Sequence, residues 1–129
     1  MNIFNKIQEL LAELLDVEKN DISPETYIFR DLGAESIDLM ELAVAINSEF
    51  NINVIDDDIF LRRLREYISE NQSLKKKYPF LPDKRIAEII KDVGKRPDFS
   101  EPVLKVKDLI DYIKGSRPDH STMEKHINV

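Results

Sequence analysis

The first fifteen residues alternate apolar and polar positions with the period of an α-helix. Apolar side chains recur at intervals of three and four: Ile3, Phe4, Ile7, Leu10, Leu11, Leu14 and Leu15. This spacing puts them on one face, so we predict a first helix over residues 2–15. Residues 20–30 are predicted to form a connecting loop, because Pro24 disfavours helix at the residue before it.

A second helix is predicted from Ser36 to Phe50. Its core stripe has helical spacing and consists of Leu39, Leu42, Ala43, Ile46 and Phe50, with Met40 and Val44 beside it. The acids Asp38, Glu41 and Glu49 lie on its polar flanks. Gly33 precedes the helix and is able to adopt a backbone angle that residues with a Cβ resist.

The rest of the chain predicts shorter helices separated by prolines and charges. A third helix is expected to use Ile59, Phe60, Leu64, Tyr67 and Ile68. Residues 73–82 read as a basic turn, and the next helix, with Ile86, Ile89, Ile90 and Val93, should end at Gly94. The last helix should include Val103, Val106, Leu109, Ile110 and Ile113 and end at Gly115.

These elements predict an all-α fold, an up-and-down helical bundle with an additional helical insertion. We expect one domain over residues 1–115, with the insertion at 56–97, and a flexible tail over residues 116–129. The apolar residues of the insertion need burial and should extend the core.

Composition and charge narrow the classes of function. The chain is 42% hydrophobic and 34% charged and has no cysteine, which excludes disulfides, thiolate metal ligands and a cysteine nucleophile. No signal peptide or membrane-spanning apolar run is present, so we expect a cytoplasmic protein. We also expect a monomer. Residues 1–60 have three Lys or Arg against fourteen Asp or Glu, whereas residues 61–97 have eleven against five. The acidic first half argues against nucleic acid and for basic protein partners.

The most informative segment is residues 31–42, DLGAESIDLMEL. It resembles the attachment motif of the acyl carrier protein family, in which Asp-Leu-Gly-x-Asp/Glu-Ser-Leu-Asp precedes a helix; Ile37 stands here in place of leucine. The resemblance extends to the first helix, the preceding loop with Thr26 and Phe29, and residues 106–113, while the insertion has no counterpart.

The resemblance implies that Ser36 carries 4′-phosphopantetheine, transferred from coenzyme A by a phosphopantetheinyl transferase. The chain would then hold acyl groups as thioesters for fatty-acid or specialised lipid biosynthesis and catalyse nothing itself. The resemblance also assigns Glu35, Asp38 and Glu41 to docking against basic surfaces of acyl-processing enzymes. A serine at a helix start suits a phosphodiester, because unpaired N–H groups and the helix dipole favour an anion there.

Other interpretations of these residues remain open. Ser36 is alternatively only a helix N-cap, and the three acids only a solvated face. The cargo is alternatively aminoacyl, peptidyl or polyketide, or the chain is an unmodified interaction module. A start close to the first helix favours a discrete carrier over one cut from a modular synthase.

A hydrolase is disfavoured because His120 and His126 lie in the predicted tail. The acids at 56–58 lack the spacing of a calcium loop, so no metal site is predicted.

The insertion has two further interpretations. Its apolar residues either deepen a cavity for a longer acyl chain or only elaborate the packing. Its cations are candidates for weak contact with anionic membrane, for an acidic partner, for the chain's own acidic face, or for plain solvation: Arg62, Arg63, Arg65, Lys75, Lys76, Lys77, Lys84, Arg85, Lys95 and Arg96.

Overall fold

The computed structural model describes residues 2–95 and 103–116, without the side chains of Asp56 and Asp57. The helices are α1 (Ile3–Leu15), α2 (Ser36–Phe50), α3 (Asp56–Ile59), α4 (Leu64–Ser69), α5 (Leu74–Lys77), α6 (Asp83–Lys95) and α7 (Val106–Ser116). A single 3₁₀ turn, Lys19–Asp21, follows α1. These residues contain no β-strand, which confirms the predicted all-α class. None of the described helices combines the length and the apolar character needed to cross a membrane.

Helices α1 and α2 form as their apolar periodicity predicts. The Asn2 side chain caps α1 by accepting a hydrogen bond from the Asn5 N–H at 3.0 Å. Ile7 and Leu11 are fully buried where α1 packs against α2 and α7. The whole predicted core stripe of α2 is buried, and the helix ends at Asn51 in the left-handed conformation. The prediction of both helices is confirmed.

The prediction of one continuous third helix is wrong. The chain turns between α3 and α4, where Leu61 has a φ of 53°. Ile59, Phe60, Leu61 and Leu64 are all buried. A continuous helix would spread these four side chains over more than one face, whereas the turn directs all of them into the core.

Smaller differences occur in the second half of the chain. The predicted basic turn contains α5, whose first N–H groups are capped by the Ser73 hydroxyl accepting from Lys76 N at 3.4 Å. Helix α6 continues through Gly94, and α7 continues through Gly115. The predicted flexible tail beyond Ser116 and residues 96–102 of the predicted linker lie outside the described residues.

The segment before α7 pairs with the loop before α2, which the sequence did not predict. Tyr27 and Lys105 form an isolated antiparallel bridge. The Ile28 N–H donates to the Leu104 carbonyl at 3.0 Å, and the Val106 N–H donates to the Thr26 carbonyl at 3.0 Å. Val103 and Leu104 are therefore buried in an extended segment and not in the last helix, where Val103 was expected.

A buried ion pair joins α6 of the insertion to α7. Arg85 is 3% exposed and donates from Nε and Nη2 to the two Asp108 oxygens at 2.7 and 2.9 Å. Its Nη2 also donates to the Val103 carbonyl at 2.8 Å. Burial opposes the charged guanidinium, but the contacts with Asp108 and Glu88 outweigh it and raise the pKa of Arg85. For Arg85, the alternatives of a solvated or membrane-facing cation are therefore wrong, and its partner is an acid of the chain itself.

The insertion shares the core of α1 and α2. Leu74, Tyr78, Leu81 and Ile89 belong to the same cluster of buried apolar residues as Ile7. Three edge-to-face ring pairs continue from α4 to α7, with centroid separations of 5.7, 6.1 and 5.1 Å, through Tyr67, Tyr78, Phe80 and Tyr112. This burial supports the expectation that the insertion extends the core. Ile90 is the exception, because its side chain is exposed where burial was expected.

Candidate functional site

The loop that leads to Ser36 is held by its own backbone. Gly33 has a φ of 71°, a conformation that favours glycine, and its N–H donates to the Phe29 carbonyl at 3.0 Å. The Ala34 N–H donates to the Ile28 carbonyl at 3.2 Å, and the Asp31 carboxylate accepts from the Tyr27 N–H at 2.9 Å. The sequence Asp-Leu-Gly thus forms a compact turn that sets the position at which α2 begins.

The insertion also braces this loop. The Tyr27 hydroxyl donates to Asp92 Oδ2 on α6 at 3.0 Å, and Arg30 approaches the same oxygen at 3.6 Å. The Arg30 guanidinium stacks over the Tyr27 ring at 4.0 Å. Helix α6 therefore contacts the segment that positions the attachment motif, a role that the sequence did not reveal.

Ser36 is the first residue of α2, and Glu35 occupies the N-cap position. The Glu35 N–H donates to Asp38 Oδ2 at 2.7 Å, so the Asp38 carboxylate closes the start of the helix. The alternative that Ser36 is only an N-cap is therefore wrong. The Ser36 side chain is exposed, and its hydroxyl makes no hydrogen bond within residues 2–95 and 103–116.

This environment fits a phosphodiester on the Ser36 hydroxyl. An exposed oxygen without an internal partner is accessible to a modifying enzyme. The first N–H groups of an α-helix have no partner within the helix, and the helix dipole favours a negative charge at this end. The residues present are thus compatible with a phosphate-linked group at this position.

The three acids expected at the site surround Ser36 but differ in exposure. Glu35 and Glu41 are exposed, whereas Asp38 is half-buried and engaged with the Glu35 N–H. Glu35 and Asp38 form a capping box, in which each side chain accepts a hydrogen bond from the other residue's backbone N–H, whereas Glu41 presents its carboxylate to solvent.

An exposed apolar stripe on α2 was missed by the sequence analysis. The side chains of Ile37, Met40 and Val44 are 63%, 62% and 67% exposed. Their spacing of three and four puts them on one face, beside Ser36 and Glu41 and away from the buried stripe. The signal was present in the sequence, because α2 has apolar residues at more positions than one core-facing stripe needs.

A cavity of about 440 Å³ opens beside Ser36. Its apolar lining comes from the loop, α2, the turn after α3, α4 and the extended segment: Phe29, Ala34, Leu39, Phe60, Leu61, Leu64 and Val103. Glu35, Ser36, Arg62 and Arg65 complete it. This volume lies within the range of about 300–1,000 Å³ typical of small-ligand sites.

The described part of the chain bears on the metal and histidine alternatives only in part. No cluster of three or more His, Asp or Glu side chains able to hold a metal occurs there. The two histidines weighed as catalytic bases, His120 and His126, lie outside the described residues, as do the side chains of Asp56 and Asp57.

Comparison with protein families agrees with the site. Residues 5–68, about half of the chain, match the family model described as phosphopantetheine attachment site. The match contains Ser36 and ends within α4, so α5–α7 lie beyond it. The cofactor of this family is 4′-phosphopantetheine, which is attached covalently. The chain therefore belongs to the phosphopantetheine-dependent carrier proteins.

Proposed function

We propose that the protein is a cytoplasmic acyl carrier for fatty-acid or specialised lipid biosynthesis. It holds acyl groups as thioesters on 4′-phosphopantetheine attached at Ser36. The observation that carries this proposal is the position of Ser36, which is exposed at the first residue of α2 inside the family match.

The prosthetic group and the protein divide the work. Phosphopantetheine supplies the thiol on which a thioester forms, and the chain has no cysteine of its own. The protein contributes a fixed attachment point, an apolar cavity beside it and a recognition surface on α2. It catalyses no step itself, and partner enzymes perform the chemistry on the cargo.

The recognition surface combines the exposed apolar stripe with acids at its edge. Ile37, Met40 and Val44 supply apolar area for burial against a partner. Glu35 and Glu41 pair with Arg or Lys of the partner, and each exposed pair contributes about 0–1 kcal/mol and weakens with salt. Asp38 contributes its charge but remains engaged at the helix start. Binding of this kind is reversible, as a carrier that passes between enzymes requires.

The cargo is tested by intact-mass analysis of the protein purified from its own cells. We expect phosphopantetheine on Ser36 together with species bearing a fatty acyl group, which hydroxylamine releases because it cleaves thioesters. Aminoacyl or polyketide adducts would replace the acyl proposal with another carrier role. Protein without any adduct would favour an unmodified interaction module.

The docking surface is tested with the phosphopantetheinyl transferase as partner. Met40→Glu should raise the KM for the carrier at least about 5-fold, because a central apolar contact contributes more than about 1 kcal/mol to binding. The matched control is Ile90→Glu, the same change at an exposed apolar residue on α6. Equal KM values for the two variants would contradict the assignment of this surface.

A further inference from the structure

Two arginines line a cavity that is otherwise largely apolar. Arg62 and Arg65 follow the turn at Leu61 and face the same space as Ser36. Arg62 is exposed and Arg65 is half-buried, so one guanidinium lies toward solvent and the other deeper in the wall. Of the two residues between them, Leu64 also lines the cavity, whereas Arg63 does not.

The three arginines at positions 62, 63 and 65 lie in two different environments, and Arg63 is the one outside the cavity. Its Nε and Nη2 donate to the Glu66 carboxylate at 2.9 and 2.8 Å, and its guanidinium lies 5.0 Å from the centre of the Tyr67 ring. Arg63 is thus held on the outer surface of α4, whereas Arg62 and Arg65 are placed at the cavity by the same turn.

The carboxylates around Ser36 make the position of Arg62 and Arg65 important for the binding of an anion. Glu35, Asp38 and Glu41 surround the attachment point, so an additional anion there meets repulsion from three carboxylates. Arg62 and Arg65, which line the same cavity as Ser36, offset that repulsion. The planar, permanently charged guanidinium matches phosphate and carboxylate oxygens with paired hydrogen bonds, and partial burial reduces screening by salt.

We propose that Arg62 and Arg65 form an anion subsite in the cavity beside Ser36, which binds a negatively charged group of the prosthetic arm or of its cargo. The group is either the phosphodiester of the arm or a carboxylate on the acyl chain, since both offer the oxygens that guanidinium binds. This inference rests on the proposed function, because the anion reaches the cavity through attachment at Ser36.

The test compares thermal unfolding of the full chain before and after loading. Transferase loads the protein from coenzyme A, butyryl-coenzyme A or succinyl-coenzyme A, and intact mass verifies each product. Butyryl and succinyl groups have the same number of carbons, but only succinyl ends in a carboxylate. The variants are Arg62→Gln, the double variant Arg62→Gln/Arg65→Gln, and the control Arg63→Gln. The unfolding of each unloaded variant shows whether it folds.

Loading of the original protein should raise Tm by about 4 °C, the size expected for one favourable charged contact in a domain of this length. If the phosphodiester is bound, all three products show this rise; if a carboxylate is bound, only the succinyl product does. In either case, the rise in Tm should be at least halved in the double variant and reduced by a smaller amount in Arg62→Gln. It should be unchanged in Arg63→Gln.

An equal rise in the double variant and the original protein, or no rise in any product, would overturn the subsite while leaving attachment at Ser36 intact. Failure to gain mass from coenzyme A would instead overturn the proposed function and the subsite together.

Discussion

Replacing Arg85 with methionine should lower the free energy of unfolding by about 3–5 kcal/mol, the usual effect of removing one partner from a buried ion pair. The carboxylate of Asp108, which is fully buried, would lose both hydrogen bonds from Arg85. The one hydrogen bond that would remain to this carboxylate among the described residues is from the Lys105 N–H at 2.9 Å. The Val103 carbonyl would also lose its donor.

This loss is large for a single domain, whose total free energy of unfolding is about 5–15 kcal/mol. The double variant Arg85→Met/Asp108→Leu removes both charges and leaves no buried ion uncompensated. It should therefore be more stable than Arg85→Met, although it still loses the contact at the start of α7, worth about 1 kcal/mol. The effects of the two substitutions on the free energy of unfolding are therefore not additive, because the second substitution should restore part of the stability that the first removes.

Urea unfolding at neutral pH measures the stability of the single and the double variant from their midpoints, provided that the slope m stays constant. Lys84→Met is the matched control, because Lys84 is exposed on the same helix one residue earlier. The reasoning is refuted if Arg85→Met costs no more than Lys84→Met, or if the double variant is less stable than Arg85→Met.

Three further predictions concern backbone strain and pH. Gly33→Ala should lower the free energy of unfolding by about 1–2 kcal/mol, because φ is 71° at Gly33. Gly94→Ala should raise it by about 0.5 kcal/mol or less, because Gly94 lies inside α6 and no atom lies within 4 Å of the added Cβ. The urea midpoints of the two variants should shift in opposite directions. Burial and repulsion from Asp108 raise the pKa of Asp111, so the charged carboxylate lowers stability at neutral pH. Asp111→Asn should therefore raise the urea midpoint at pH 7. This gain should vanish below pH 3.8, the ordinary pKa of an aspartate. Hydrogen bonds from Lys105 and Lys107 lower the pKa of Glu25 from 4.5 to about 2, so Glu25→Gln should lower the midpoint above pH 4.5, with the difference disappearing as pH falls through about 2. A pH-independent difference for either acid would contradict its assigned cause.

The local spacing of apolar residues was sufficient to predict the parts of the fold that surround Ser36. The apolar spacing of α1 and α2 identified their buried faces, and the motif around Gly33 identified the turn and helix start. These features depend on residues within a few positions of one another, so sequence alone carries them.

The features that were missed depend on partners distant in the chain. Arg85 is a charged residue on the buried face of α6, and only Asp108, twenty-three residues later, makes its burial favourable. The bridge between Tyr27 and Lys105 joins segments that show no strand pattern. Leu61 adopts a positive φ at a turn that lets its own side chain and three apolar neighbours enter the same core, a constraint that helical periodicity does not contain.

The exposed stripe on α2 illustrates a different limit. Ile37, Met40 and Val44 are apolar, so burial was the simpler expectation, and only the structure shows which of the apolar positions of α2 face solvent. Exposed apolar residues that lie together on one helix face often mark an interaction surface.

The central claim is that the Ser36 hydroxyl is the point of covalent attachment. Its most direct test is intact-mass analysis after incubation with coenzyme A and a phosphopantetheinyl transferase, comparing the original protein, Ser36→Ala and Ser48→Ala, which alters another exposed serine of α2. The account predicts one phosphopantetheine group on the original protein and on Ser48→Ala, and none on Ser36→Ala. Modification of Ser36→Ala, or no mass gain in the original protein, would contradict it.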